Sequence, residues 1–162
     1  MKFDAAHRAE NLAKYKSKIV AITPSYYLHV TYDTNICIFF LKGQYNLANK
    51  IAEVGQENCF ISEMTVAEMK FGVENSKTIE TMRPIIEAFI PKFAVIPIYN
   101  SLDIYAKEKT RLRKQGLMLD DFDILIGATA VNHNMIMVTN NTSHLSRLEN
   151  ITIEDWTKLS KR

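Results

Sequence analysis

The chain has 162 residues, 47% of them apolar and 23% charged, with a formal net charge of +2; this fits one soluble globular domain with room for a sizeable core. No apolar run approaches the roughly 20 residues that span a bilayer and the start lacks a secretory stretch, so a membrane protein is excluded and the cytoplasm is expected. Only Cys37 and Cys59 are present, neither in a C-x-x-C pair nor beside a histidine at ligand spacing, which excludes a disulfide framework or a zinc site.

Residues 1–24 differ from the rest. The first 18 are polar and mildly basic, and a short helix is expected from about Asp4 to before Pro24. The β-rich run 26–32 predicts a first strand, stopped at Asp33-Thr34-Asn35. Asp and Asn there are turn and N-cap residues, so 36–41 reads as the helix they start, ended by Lys42-Gly43. A helix over 47–54 and a strand over 59–62 follow, then a helical segment to Gly72 with Thr65 as its N-cap. Further on the pattern predicts a helix over 79–90, a strand over 94–98 and a charged helix over 102–114 closed by Gly116. A helix over 121–133, a strand over 135–138 and a last short strand over 151–153 complete the chain. Strands and helices alternate throughout, which predicts an α/β domain with a mainly parallel central sheet flanked by helices on both faces. The expected division is an N-terminal extension, 1–24, and a single domain, 25–162.

In open α/β sheets ligands gather outside the carboxyl ends of the strands, so the acids are read by position. Asp33 follows the first strand, Glu68 lies in the first turns of helix after the second, Asp123 opens the helix before the 135–138 strand, and Asn141 follows that strand. All four point to one crevice. Three carboxylates meeting there would repel by about 4 kcal/mol per pair at roughly 4 Å and an effective dielectric near 20, so such a pocket must bind protons or a cation. The set offers only carboxylate, amide and hydroxyl oxygens, with Thr34, Asn35 and Thr139 in support, and no histidine. That suits magnesium, with manganese as the alternative, and disfavours zinc. An oxygen-held magnesium ion with open positions serves phosphoryl chemistry, so phosphodiester hydrolysis is the natural reaction. Asp33 and Asp123 are assigned as the principal metal contacts. Glu68 becomes a further ligand or the group that orients the attacking water, and Asn141 steadies the ion's water shell.

Each acid also has a purely structural explanation. Asp33 would serve as a cap, Glu68 as a first-turn acid favoured by the helix dipole, and Asp123 as one of three acids, with Asp120 and Asp121, at a charged helix start. The basic run Lys107, Lys109, Arg111, Arg113, Lys114, broken by Glu108, reads equally as a solvated face or as phosphate contacts, with Lys109 and Arg113 the ones to test. A nucleotide-binding ATPase is disfavoured, because no G-x-x-x-x-G-K-[ST] loop exists. An aspartyl phosphatase would carry a second Asp where Asn35 stands.

Four segments in order, 32–38 (Tyr-Asp-Thr-Asn-Ile-Cys-Ile), 61–74 around Glu68, Asp121-Phe122-Asp123-Ile124-Leu125-Ile126-Gly127-Ala128, and Val138-Thr139-Asn140-Asn141 followed by Ile153-Glu154-Asp155-Trp156, resemble VapC-type PIN-domain toxins. The resemblance runs from about Tyr27 to Trp156 and leaves residues 1–24 outside. It implies a PIN-like fold and a magnesium-dependent endoribonuclease, usually a homodimer, silenced by a VapB-type antitoxin whose C-terminal segment blocks the acidic pocket. Asp33, Glu68 and Asp123 fall on the family's acidic triad. Its fourth acidic position falls on Asn141, a departure that weakens the case for a second tightly held ion. A DNA or structure-specific nuclease and a non-catalytic PIN-like binding module are the competing readings. Partly exposed apolar stretches at Phe39-Phe40-Leu41 and at Ile85, Ile86 and Phe89 are expected to leave a groove for a partner helix.

Overall fold

The computed structural model describes residues 29–158; the expected N-terminal helix and the first residues of the expected first strand, Tyr26 to Leu28, lie outside the described residues. Five short strands, β1 (Val30–Tyr32), β2 (Cys59–Ser62), β3 (Ala94–Ile96), β4 (Ile136–Val138) and β5 (Thr152–Glu154), form one sheet in the order β3-β2-β1-β4-β5. Every pairing is parallel. Parallel strands need crossovers that cover both faces, and β1, β2 and β4 are accordingly buried along their whole length.

The two-residue period of a strand sorts these side chains between the faces. Val30, Tyr32, Cys59, Ile61, Ile136 and Val138 pack on one side with Phe89, Phe93 and Trp156. On the other, Met137 joins Leu112, Ile124, Ile126 and Leu145, while Phe60 packs with Ala94, Ile96 and Met135. Tyr32 meets Phe93 and Trp156 edge to face, with ring centroids 5.8 and 5.6 Å apart, contacts that fix the end of β1 just before Asp33.

Helices α1 (Thr34–Leu41), α2 (Leu47–Val54), α3 (Glu63–Glu74), α4 (Ile79–Phe89), α5 (Leu102–Gln115), α6 (Asp121–Asn132) and the single turn α7 (Thr142–Leu145) complete the described chain. The expectation that Thr65 caps the second-strand helix is corrected. Ser62 is the N-cap, its hydroxyl accepting from the Thr65 amide at 3.0 Å, and α3 begins at Glu63. Thr65 instead donates its buried hydroxyl to the Tyr32 carbonyl at 3.1 Å, tying α3 to the end of β1. Strand β3 ends at Ile96 and not at residue 98, because Pro97 has no N–H to continue the ladder. At Gly116, φ is +69°, the left-handed geometry that closes α5.

The chain runs outward from β1 through β2 to β3 and then returns by α5 and α6 to β4 on the other side of β1. Outside the carboxyl ends of β1 and β4 the connections therefore diverge, which opens the crevice where such sheets hold ligands.

Candidate active site

Asp33 stands at that point of divergence. Its amide donates to the Val138 carbonyl at 3.1 Å, extending the β1–β4 ladder by one residue, and this fixes where its side chain emerges. One carboxylate oxygen, Oδ1, accepts from the Thr34 amide and the other, Oδ2, from the Thr139 hydroxyl, each at 2.7 Å. Thr139 in turn accepts from the Asn141 amide at 2.9 Å, so one hydroxyl joins Asp33 to the loop after β4. Asp33 is only 4% exposed. Burial pushes its pKa up, and the two donors oppose that shift.

Glu68 arrives on α3, where the Ser62 cap and the Thr65–Tyr32 bond set the helix against β1. The Thr34 hydroxyl, at the start of α1, donates to Glu68 Oε2. Asp123 lies in the first turn of α6, and Asn141 Nδ2 donates to its Oδ2 at 3.2 Å. Burial raises the pKa of both acids. After it come like charges: Asp33, Asp123 and Asp120 act on Glu68, while Asp33 and Asp120 act on Asp123. His144 and the Asn141 bond pull Asp123 the other way. Three acids from distant stretches of chain thus share one electrostatic environment. Among the described ion pairs, no lysine or arginine is bound to any of the three.

The three acids of the α6 start play different parts. Asp120 is the N-cap and accepts from the Phe122 amide at 2.9 Å. Asp121 grips Lys109 through both oxygens, at 2.6 and 2.7 Å, and only Asp123 bonds to Asn141. Of the supporting residues, Thr34 and Thr139 touch the acids directly. Asn35 does not: its side chain is exposed at the start of α1 and bonds to none of them, because the helix turns it away from the crevice. Lys109 is committed to Asp121 and to the Tyr105 hydroxyl at 3.0 Å, while Arg113 is exposed.

Among the described residues no three His, Cys, Asp or Glu side chains close on a single point. An ion here would take one or two carboxylates directly and reach the remaining groups through water, the usual habit of magnesium.

The sequence profile of the PIN domain matches residues 30–150. The chain belongs to the PIN-domain family. Within it the chain falls among the VapC proteins: it is 30% identical to Ribonuclease VapC2 of Rickettsia felis over 78% of its own length and 96% of that protein. It is also 30% identical to the tRNA(fMet)-specific endonuclease VapC of Shigella flexneri, over 76% of this chain and 95% of that one. These relatives give the activity class, a nuclease. Among solved structures, the DNA-bound VapBC of Salmonella typhimurium superimposes with a TM-score of 0.74 at 27% identity, covering 80% of this chain and 98% of that chain. The VapBC2 complex of Rickettsia felis, bound to a promoter DNA fragment, gives 0.71 at 27% identity over 77% of this chain and 96% of its own. The parallel sheet and flanking helices are thus those of a PIN domain.

Sequence reasoning missed two members of this PIN site's surroundings. Asp120 acts on both Glu68 and Asp123, yet its position in an acidic tract was visible. His144, which was read as a surface or loop residue, is exposed and lies close enough to act on Asp123; no local pattern announced it, because the α7 turn that carries it is only Thr142–Leu145.

Proposed function

We propose that the protein is a magnesium-dependent endoribonuclease, the toxin of a toxin–antitoxin pair, that hydrolyses RNA phosphodiester bonds at the Asp33, Glu68 and Asp123 pocket. One observation carries the reading: three acids raise one another's pKa at the diverging edge of a PIN sheet while no basic side chain of the described protein pairs with them. The donor set fits magnesium, being all oxygen, with lone pairs left over on each carboxylate after its hydrogen bonds are counted. Asp33 and Asp123 would hold the ion, with Glu68 and Asn141 at its periphery; manganese suits the same donors.

When bound, magnesium supplies a Lewis acid that offsets the phosphodiester charge. The chain does the rest. Thr139 and the Thr34 amide lock Asp33, and Asn141 fixes Asp123 through Oδ2. The Thr34 hydroxyl engages Glu68 Oε2 and leaves Oε1 to orient the attacking water and take its proton, a task suited to an acid whose pKa lies above the ordinary value. As the water oxygen bonds to phosphorus, the bond to the leaving ribose oxygen breaks and that oxygen is protonated from solvent.

Relatives solved as VapBC complexes support a VapB-type antitoxin partner. Phe71 and Ile85, 68% and 43% exposed on α3 and α4, flank a groove lined by Val73, Ile86 and Ile90 of the kind an antitoxin helix fills. The family resemblance extends the proposal to a homodimer acting in the cytoplasm.

The test is incubation of the purified protein with RNA and with DNA of matched sequence, in magnesium and in chelator, beside Asp33→Asn. Cleavage of RNA in magnesium alone, lost in the variant, is the expected result. Preference for DNA would make it a DNA nuclease, and no cleavage under any condition would leave a binding module.

A further inference from the structure

Where the C-terminal half of α5 meets the start of α6, a cavity of about 350 Å³ falls within the roughly 300–1,000 Å³ typical of small-molecule sites. It adjoins the acid pocket through Asp120, which lines the cavity and whose charge acts on both Glu68 and Asp123. Met118, Leu119 and Ile124 give it apolar surface, and Lys109 and Arg113, one turn apart on α5, give it two cations. These cations are not equivalent. Lys109 is spent on Asp121 and Tyr105, whereas Arg113 is exposed and has no ion pair among the described residues. Met118 is 69% exposed, a large flexible apolar side chain left beside an unspent guanidinium.

We infer that this cavity is the subsite for a nucleotide flanking the scissile bond, its base lying on Met118 and Leu119 and its phosphate held by Arg113. The inference rests on the nuclease reading above. A polynucleotide crossing the acid pocket must continue to either side of it. Each next nucleotide brings a flat apolar face and one negative charge, and the cavity offers a partner for both: an apolar surface for the base and a fork of N–H donors for the phosphate. An apolar peptide would satisfy Met118 alone and leave Arg113 without a counter-charge.

The experiment uses oligoribonucleotides that the full-length protein cuts at one bond, each with a single flanking nucleotide made abasic or a single flanking phosphate made a neutral methylphosphonate. For the wild type, one flanking position should raise KM about tenfold when its base is removed, the scale of a lost stacking contact, with kcat little changed. Met118→Ser should be indifferent to that same base, and Arg113→Gln to the adjoining phosphate. Arg113→Gln should also lower the slope of log affinity against log salt by about 0.7, the share of one phosphate on a single strand. Penalties that add independently at every position would overturn the subsite. So would a Met118→Ser protein that changes its self-association and leaves KM as it was, since a second copy would then be the occupant. If the wild type cuts nothing, the same oligonucleotides are titrated in chelator by fluorescence anisotropy. Tenfold weaker binding by Arg113→Gln then keeps the subsite while the hydrolytic reading falls, and equal or absent binding removes both.

Discussion

Glu108 on α5 and Asp33 after β1 are both carboxylates with little solvent contact, 6% and 4% exposed, and their surroundings treat them oppositely. Glu108 accepts from Arg111 Nε at 3.0 Å and Nη2 at 2.6 Å, and from the Glu149 amide at 2.9 Å; Arg111 Nη2 also donates to the Arg147 carbonyl at 2.6 Å. A fork-shaped cation thus pins the loop after α7 to α5. The Arg111 bond, helped by the Glu149 amide, holds the Glu108 pKa below its ordinary value against the pull of burial. Asp33, Glu68 and Asp123 have hydroxyls and amides but no described cation, and their pKa values are raised. One cluster is balanced within the chain and holds structure together. The other is left unbalanced, a state that costs stability and that a bound divalent ion would relieve.

The comparison breaks most visibly at Glu68. Glu68→Gln should lower kcat for RNA cleavage by roughly a hundred- to ten-thousandfold, the range for a lost general base, while the melting temperature stays level or rises. A fall in both would make Glu68 structural, like Glu108. Glu108→Gln should do the reverse, costing on the order of 3 kcal/mol of stability because it strands a partly buried guanidinium, seen as a lower urea midpoint with cleavage retained under folding conditions. Replacing Glu108 and Arg111 together by Leu and Met should cost less than the single change.

Smaller effects sharpen the contrast. In chelator, Asp123→Asn should raise the melting temperature by about 3 °C, the scale of 1 kcal/mol in a chain of this size, since one repelling charge is gone. The two clusters also respond to pH with opposite signs. A carboxyl whose pKa is raised on folding binds its proton more tightly in the native state, so Asp33, Glu68 and Asp123 withdraw stability as pH climbs from their ordinary values of 3.8 and 4.5 through the raised ones. Glu108, depressed below 4.5, contributes fully above that value and loses its contribution as pH falls through its lowered pKa. Melting curves in chelator between about pH 5 and 7.5 should therefore show stability declining with pH in the wild type, and a flatter profile when Glu68→Gln and Asp123→Asn are combined.

How much of this was legible in sequence follows from what each residue does. Asp33, Glu68, Asp123 and Asn141 could be read because strand–helix alternation fixes which end of the sheet each one reaches, and α2 and β2 were expected over the residues they occupy. The start of α3 was misplaced because Ser62 and Thr65 are both hydroxyl residues able to cap, and only the Tyr32 carbonyl beside Thr65, 33 residues away in sequence, decides between them. Glu108 looked like a break in a basic helix face. Its role depends on the amide of Glu149, 41 residues on, and no local pattern encodes that meeting. The single-turn α7 was not foreseen, because four residues are too few to show helical periodicity.

The measurement that bears most directly on the unbalanced pocket is a magnesium titration followed by thermal unfolding, comparing the wild type with Asp33→Asn. The wild type should gain stability along a saturating curve, about 2.7 kcal/mol at a hundredfold excess over Kd, and the variant should gain little. Equal gains in both proteins, or none in the wild type, would contradict a divalent-ion site at Asp33, Glu68 and Asp123.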